Sequence, residues 1–367
     1  MNKLLEQIDA CTDCDACMDV CPTYRVTGEL LFSPKGRLAS SRTVLTEGPV
    51  DEEVLNSIYN CPKCMACEAV CPQAIEVTKI VAAARNKAVE MGQGPLKPHR
   101  KVLQGILDKG NSVNGDPAKR LEWLPEPFER RQSDTLLYVG CLPAYLVKDA
   151  ATYSYLALKK LGVDFMIIED EGCCGTYMYE AGEIEKAKDY FARNVERFAK
   201  LGVKKLIVPC NGCFKCFGTF YPELLGSVDF EVTHVVQTFY EEIKDRPEIL
   251  RSIEREITYQ DSCRLGRAAG ITEEPRDLLK WCGATLKELP LNREQTPCCG
   301  SGGGIRSAFR DLSFDIAKGL LADAPTQDLV SPCPFCTFNL GYTNKKAEMD
   351  KQVTYISKVI WESLKDA

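Results

Sequence analysis

An α/β fold with an all-α domain at its N-terminus is what this sequence predicts, and three observations predict it. Over the first ninety or so residues apolar side chains recur at helical spacing, as in LNSIYNC and in VTKIVAAARNKAVEMG, which stops at a glycine. From residue 135 the period changes, and short apolar runs that read as buried strands alternate with helical stretches. Finally, a cysteine pattern occurs twice in step with that alternation, which marks an internal duplication with a period far too long for a solenoid.

The elements follow in order. TLLYVG (135–140), VDFMIIE (163–169) and KKLIVP (204–209) are the expected strands of the first repeat, with a helix over 182–201. REITYQ (255–260), TLKELP (285–290) and QDLVSP (327–332) are those of the second, with helices at about 273–282, 312–323 and 352–364. Pro-, Gly- and charge-rich sequence between Pro95 and Ser133 reads as a connector with some local helix. The expected division is therefore 1–94 helical, 95–133 connector, 134–250 first α/β repeat and 251–367 second repeat, the two repeats facing each other about a pseudo-twofold axis.

Composition narrows the chemistry. The chain has 367 residues, 45% hydrophobic and 27% charged, within the range of globular proteins and long enough for two or three domains. A net charge of −6 gives no electrostatic reason to expect nucleic acid or an anionic membrane as partner. The opening MNKLLEQIDACTDC lacks the apolar core of an export signal, and no window holds the roughly 18 apolar residues of a membrane span. A cytoplasmic protein is expected, or one held at a membrane through a partner subunit. Twenty cysteines in such a chain point to soft-metal ligation rather than to a disulfide scaffold. With only two histidines, His99 and His234, imidazole-based zinc or iron chemistry is not expected, and both read as ordinary core or surface residues.

Eighteen of the cysteines fall into four constellations. Cys11-x2-Cys14-x2-Cys17-x3-Cys21-Pro22 and Cys61-x2-Cys64-x2-Cys67-x3-Cys71-Pro72 match the run that binds [4Fe–4S] cubanes. Three thiolates at intervals of three wrap a loop around one face of a cubane, and the fourth points away to the other cluster of the pair. Cubane 1 is thus expected at Cys11, Cys14, Cys17 and Cys71, and cubane 2 at Cys21, Cys61, Cys64 and Cys67. Zinc would require closed groups such as C-x2-C…C-x2-C, which this spacing does not supply. Such paired cubanes pass single electrons and bind no substrate.

The other ten cysteines form the duplicated set: Cys141, Cys173-Cys174-Gly175 and Cys210-x2-Cys213, then Cys263, Cys298-Cys299-Gly300 and Cys333-x2-Cys336. The first cysteine and the last pair of each copy follow expected strands, so they should converge at the carboxyl edge of a parallel sheet. A glycine after each vicinal pair permits a tight turn. Spacing alone leaves metal binding, a strained vicinal disulfide and a redox dithiol all open here.

Thirty-nine helical-looking residues separate Cys21 from Cys61, and with SPKGRL (33–38) this N-terminal part resembles the helical ferredoxin domain of succinate dehydrogenase iron–sulfur subunits and heterodisulfide reductases. The duplicated half resembles the paired CCG domains of heterodisulfide reductase, on CNGC (210–213), DSCRLGR (261–267), EEPRDLL (273–279), CCGSGGG (298–304) and CPFC (333–336). The fusion order resembles that of the D-type subunit of these enzymes, and the resemblance covers nearly the whole chain. It implies two non-cubane [4Fe–4S] clusters, one on the five cysteines of each copy, making four clusters in all. It also implies a disulfide substrate of the CoM-S-S-CoB type cleaved between them, one sulfur going to each. An electron donor would come from a partner, either a membrane b-type cytochrome or a flavoprotein or hydrogenase module. Two departures stand out. Arg264 follows Cys263 where the family commonly carries histidine, and the first copy reads CCGTYMY instead of a glycine run. That texture is shared with relatives acting on hydroxyacids or glycerol phosphate. The alternative is therefore an electron-transfer subunit of a flavin-dependent glycolate, lactate or glycerol-3-phosphate dehydrogenase.

Three arginines beside ligand cysteines, Arg264, Arg267 and Arg306, are candidates to grip an anionic substrate, or else to neutralise the thiolates. Gly302-Gly303-Gly304 lacks the Lys-Ser/Thr of a phosphate loop and reads instead as backbone passing close to a cluster. Cys216 and Cys282 belong to no constellation and read as buried thiols.

Overall fold

The structure is a computed structural model, and residues 2–365 are described. Its N-terminal part is helical, with α-helices at Asn2–Asp9, Pro22–Thr27, Pro34–Leu45, Glu52–Tyr59, Ala66–Ala69 and Val77–Glu90. Local sequence sets their starts. Pro22 opens its helix at the first position, where a missing N–H costs nothing, directly after Cys21. Ser33 caps Pro34–Leu45 by accepting from the Gly36 N–H, and Asp51 caps Glu52–Tyr59 by accepting from Val54. In SPKGRL the glycine is obligatory, because a Cβ on Gly36 would lie 2.2 Å from the Leu30 carbonyl oxygen. The core of this part joins Leu38, Val44, Ile58, Tyr59, Ile80, Val81 and Ala84, all essentially removed from water.

Each repeat is built on a small parallel sheet. In the first, β1 (Thr135–Leu137), β2 (Lys205–Val208) and β3 (Glu231–His234) lie in the order β1-β2-β3, with Leu136 opposite Leu206 and Leu206 opposite Val232. In the second, β4 (Glu256–Tyr259), β5 (Thr285–Leu286), β6 (Asp328–Ser331) and β7 (Gln352–Tyr355) lie in the order β5-β4-β6-β7, again all parallel. The expected strand over 163–169 contracts to one bridge, Met166 against Leu136. Phe165 and Ile167 bury into one core and Met166 into another, so the strand alternation is real, but the chain turns away at 169–170 before a ladder forms. Met166-β1-β2-β3 thus has the same order as β5-β4-β6-β7.

Two strands escaped the sequence reading. β3 (EVTH) and β7 (QVTY) each have four residues and pass straight into an apolar helix, Val235–Ile243 and Ile356–Ser363, with no turn residue between. The expected helix over 352–364 is therefore a strand followed by a shorter helix. His234 makes the first of these junctions, its Nδ1 accepting from Val236 N–H while its own N–H donates to Gln237 Oε1.

The repeats pack reciprocally. Helix Lys148–Lys160 of the first lies on Ile356–Ser363 of the second, where Ser154 and Ser357 hydroxyls are 2.8 Å apart. Helix Glu273–Trp281 of the second lies on Val235–Ile243 of the first, with the Tyr240 and Trp281 rings stacked at 5.4 Å. Between the helical part and the first repeat, the helix Lys97–Lys109 runs past both repeats and leads to Ser112. Among the described residues no helix is long and apolar enough to cross a membrane.

Candidate cluster sites and the cavity between the repeats

The two N-terminal cysteine loops share a backbone shape. Asp13 and Lys63, two residues after the first cysteine of each run, and Asp15 and Met65, one after the second, all have φ between 54° and 61°. Left-handed backbone at non-glycine residues is uncommon and strained, and its recurrence at four matched positions curls both loops alike. Cys11, Cys14, Cys17, Cys67 and Cys71 line one small apolar cavity, together with Pro34 and Leu38. Burial pushes the Cys67 thiol up, and Cys64, Cys61 and Cys21 push it further. Cys21 thus lies near Cys67 as well as near Cys17 of its own run, and Cys71 lines the cavity with Cys11, Cys14 and Cys17. Arg37, buried beside them, donates from Nη1 to Cys21 Sγ at 3.4 Å.

In the repeats the thiols form two chains of neighbours with the same order. Adjacent thiols run Cys141–Cys173–Cys174–Cys213–Cys210 in the first copy. They run Cys263–Cys298–Cys299–Cys336–Cys333 in the second. Strand ends bring them together: Cys141 and Cys210 follow β1 and β2, and Cys263 and Cys333 follow β4 and β6. Gly175 and Gly300 have φ of 81° and 78°, and a Cβ would lie 2.7 Å from the Phe191 ring or 2.8 Å from the Ser313 carbonyl oxygen. Their N–H groups donate to Cys173 Sγ and Cys298 Sγ at 3.4 and 3.3 Å. Among the described residues no three such side chains close on a point where a single metal ion would sit.

Buried ion pairs aim the first cysteine of each copy. Glu171, paired with Arg120, accepts from the N–H groups of Val139 and Gly140 at 2.8 and 2.7 Å, fixing the turn into Cys141. Asp261 takes a two-pronged grip from Arg276 at 2.8 and 2.7 Å, which ties DSCRLGR to EEPRDLL.

A cavity of about 170 Å³ lies between the repeats. All five second-copy cysteines line it, with Gly302, Gly303 and Gly304. The first copy contributes Leu142, Leu146, Thr176, Tyr177, Glu180 and Gly212, and the connector Ser112 and Val113. Arg264 and Arg306 line it too. Arg264 is committed to Glu180 at 2.6 Å, whereas Arg306 lies 4.5 Å over the Tyr342 ring with its Nε buried and unpartnered. Arg267 lies outside the cavity lining, its guanidinium donating to the carbonyls of Cys64, Thr296 and Glu294 at 2.6–2.7 Å. A further seam is sulfur to sulfur: Cys64 of the N-terminal loops and Cys298 of the second copy pack together in one small buried cluster.

Sequence reasoning did not single out Glu180, Tyr177, Arg85 or Ser112. Burial opposes the charge of Glu180, but Arg264, Lys63 and Lys215 outweigh it and hold the carboxyl at about 2. Tyr177 Oη lies 2.7 Å from His99 Nδ1. Arg85 is wholly buried and donates to the carbonyls of Ile58, Tyr59, Cys61, Glu180 and Gly303. Cys216 donates to the Cys174 carbonyl at 3.3 Å, and Cys282 lies in the core away from both sets.

Comparison with known proteins agrees with this arrangement. A 4Fe-4S dicluster domain family matches residues 7–75, and a cysteine-rich domain family matches residues 135–218 and again 257–341. The D subunit of the dihydromethanophenazine:CoB–CoM heterodisulfide reductase of Methanosarcina mazei is 30% identical over 98% of this chain and 95% of its own length. The chain belongs to the family of heterodisulfide reductase D subunits. Relatives of this heterodisulfide reductase-like chain also include an EtfAB:quinone oxidoreductase of Syntrophomonas wolfei, 28% identical over 99% of the chain and 59% of that protein. A probable glycolate oxidase iron-sulfur subunit of Bacillus subtilis is 27% identical over 92% of the chain and 90% of that protein.

The donor sets of this heterodisulfide reductase-like protein suit iron–sulfur clusters, which its family matches support. Buried thiols that raise one another's pKa cannot ionise together unless cations replace the lost water. Burial and the neighbouring thiols push Cys17 up to about 11, while Cys216 and burial outweigh the lowering by Cys173 and Cys213 and push Cys174 up to about 12. Iron supplies the compensating charge, and thiolates are the ligands it takes in such clusters.

Proposed function

We propose that this chain is the iron–sulfur catalytic subunit of a heterodisulfide reductase. Cubane [4Fe–4S] clusters are held by Cys11, Cys14, Cys17 and Cys71, and by Cys21, Cys61, Cys64 and Cys67. Non-cubane clusters are held by Cys141, Cys173, Cys174, Cys210 and Cys213, and by Cys263, Cys298, Cys299, Cys333 and Cys336, with the two repeats related by a pseudo-twofold axis. The clusters supply one-electron steps at a thiol-binding iron. A disulfide RSSR′ takes up two electrons and two protons to give RSH and R′SH, and a CoM-S-S-CoB-type heterodisulfide is the proposed substrate.

One observation carries this reading: five thiols face a cavity between the repeats while one of them touches Cys64 of the cubane loops. An electron relay thus ends against a space sized for a small molecule. Around it the chain's own groups divide the work. Gly302–Gly304 leave room beside the thiols, Arg306 offers an unpaired N–H to an anionic tail, and the Arg264–Glu180 pair keeps a fixed dipole at the wall. The electron donor is proposed to be a partner subunit, as the relatives' names describe subunits of larger oxidoreductases.

Anaerobic purification with iron and sulfide quantification tests the reading, together with EPR of the oxidised protein with and without a coenzyme thiol. About sixteen irons are expected, with a paramagnetic signal that depends on thiol. A second reading is favoured by CCGTYMY and by the glycolate oxidase relative. There the chain passes electrons from a flavin dehydrogenase for glycolate, lactate or glycerol 3-phosphate to a carrier. Full iron content with no thiol-dependent signal would decide for it.

A further inference from the structure

The two cysteine sets differ at one matched position. Counting on from Cys210-x2-Cys213, a further x2 step reaches Cys216, and the same step from Cys333-x2-Cys336 reaches Asn339. Both side chains are fully buried, and both donate to the carbonyl of the second vicinal cysteine. Cys216 Sγ lies 3.3 Å from the Cys174 oxygen, and Asn339 Nδ2 lies 2.7 Å from that of Cys299. In the second copy this bond is the work of the amide, whose Oδ1 accepts from Ser313 Oγ at 3.3 Å. In the first copy a better donor already serves, because Tyr221 Oη donates to the Cys174 carbonyl at 3.0 Å. A thiol is only a weak donor beside a phenol, so the carbonyl gives no reason for a cysteine at 216.

The backbone changes here too. In the second copy one unbroken helix, Pro334–Ala347, carries Asn339. In the first, the helix Asn211–Lys215 opens into a π-turn at Cys216–Phe220, closed by the Tyr221 N–H on the Cys216 carbonyl, and resumes at Tyr221–Leu225. Pro222 is the local cause, since it has no N–H to give the Gly218 carbonyl. Such wide turns are rare and concentrate at functional sites. This one brings Cys216 and Tyr221 together onto Cys174. Cys216 also lies against the thiols themselves, next to Cys174 and near Cys173. Thr176 adjoins it with a buried hydroxyl that has no hydrogen-bond partner. The first copy thus gathers six thiols where the second gathers five.

We propose that Cys216 is a reserve iron ligand of the first cysteine set, able to take the place of Cys174. The inference rests on the reading of Cys141, Cys173, Cys174, Cys210 and Cys213 as cluster ligands. In the exchange Cys216 gives up its thiol proton and binds as thiolate, while Cys174 leaves the iron and takes up a proton. Neither the charge of the set nor its electron count changes. Thr176 Oγ1, buried and unpaired, is at hand to donate to the arriving thiolate. The second set has no such exchange, because the amide of Asn339 is a poor substitute where iron takes thiolate. The two sets therefore differ in how firmly they keep their iron.

The test counts iron rather than turnovers, in holoprotein purified anaerobically, with Mössbauer spectra to read the iron that stays. Cys299→Ala should lose about a quarter of the iron. Its counterpart Cys174→Ala should keep the full amount with an altered spectrum, and Cys174→Ala/Cys216→Ala should then lose the quarter. A quarter lost by Cys174→Ala alone, or full iron in the double variant, would overturn the inference and leave the cluster assignment standing. Cys141→Ala guards that assignment. It has Ser112 rather than a spare thiol beside it, so it should lose about a quarter, and full iron there would sink the assignment of the whole set. Should Cys174→Ala fail to fold, Cys216→Ala decides. Its iron should pass to a ferrous chelator several-fold faster than that of the wild type, and an equal rate would overturn the inference.

Discussion

The guanidinium of Arg85 donates to the backbone carbonyl of Gly303 at 2.9 Å, across 218 positions of sequence. The same Nη1 also donates to the Glu180 carbonyl at 2.8 Å, and Nη2 to that of Cys61 at 2.9 Å. One buried side chain thus joins the N-terminal cysteine loops to both repeats. Removing it leaves several buried carbonyls without donors, at about 1–3 kcal/mol each before relaxation. Arg85→Ala should lower unfolding free energy by about 3–5 kcal/mol, read by urea denaturation of the anaerobic holoprotein. Arg85→Lys keeps one or two of the bonds and should recover part of the loss. Equal stability of all three would show that the seam does not depend on this residue.

The histidines set a pH window. Burial drives His99 and His234 down from 6.5 to about 3, so both are neutral in the folded chain and protonate more readily when it unfolds. Protons therefore favour the unfolded state. The contribution is complete above pH 6.5 and is lost as pH falls from there toward 3. At pH 5.5 each histidine should have cost about 1 kcal/mol relative to pH 8. Denaturant midpoints at the two pH values check this, and His99→Gln should flatten the slope by about half. Glu180, held at about 2, adds its own loss only below the ordinary carboxylate range.

The glycines after the vicinal pairs give a site-selective prediction. Gly300→Ala meets both a φ of 78° and the Ser313 carbonyl oxygen at 2.8 Å, and Gly175→Ala meets 81° and the Phe191 ring at 2.7 Å. Each should displace one vicinal pair while sparing the other copy. Iron analysis is expected to fall by about a quarter in each single variant and by about half in the double. A full complement of iron in both single variants would refute the assignment of these turns to cluster binding.

Arg306 lines the cavity and has an unpartnered Nε donor. A charge-assisted hydrogen bond to an anionic substrate is worth about 1.5–3 kcal/mol, which corresponds to about 10–100-fold in KM. Arg306→Ala should show that rise for an anionic disulfide, with kcat and iron content little changed. Arg264→Ala should behave differently. It strands ionised Glu180 in a buried site, so stability should drop along with activity.

Much of this was readable in advance because ligand spacing is local. The x2, x2, x3-Pro runs specify their loops within a dozen residues, and the strand ends before Cys141, Cys210, Cys263 and Cys333 were visible as short apolar runs. β3 and β7 were hidden because EVTH and QVTY merge with the helices that follow, leaving no glycine or proline to mark the join. Glu180, Arg85 and Ser112 carry no local pattern at all. Their importance comes from partners 24 or more residues away in the chain, which periodicity cannot register. Tyr177 lay in plain sight as a departure from the glycine run, but its partner His99 looked unremarkable until the fold placed the connector helix beside it.

The contact between Cys64 and Cys298 has a consequence for how the protein is made. Each thiol is about 95% shielded from solvent, and each lies on a different part of the chain, pressed together with Pro62 and Gly303 at the join. Iron and sulfide delivered by a scaffold protein need an open path to their ligands. On the proposed assignment, a cluster on the Cys64 set would have to be in place before this join closes, whereas the Cys298 set would remain reachable through the cavity between the repeats.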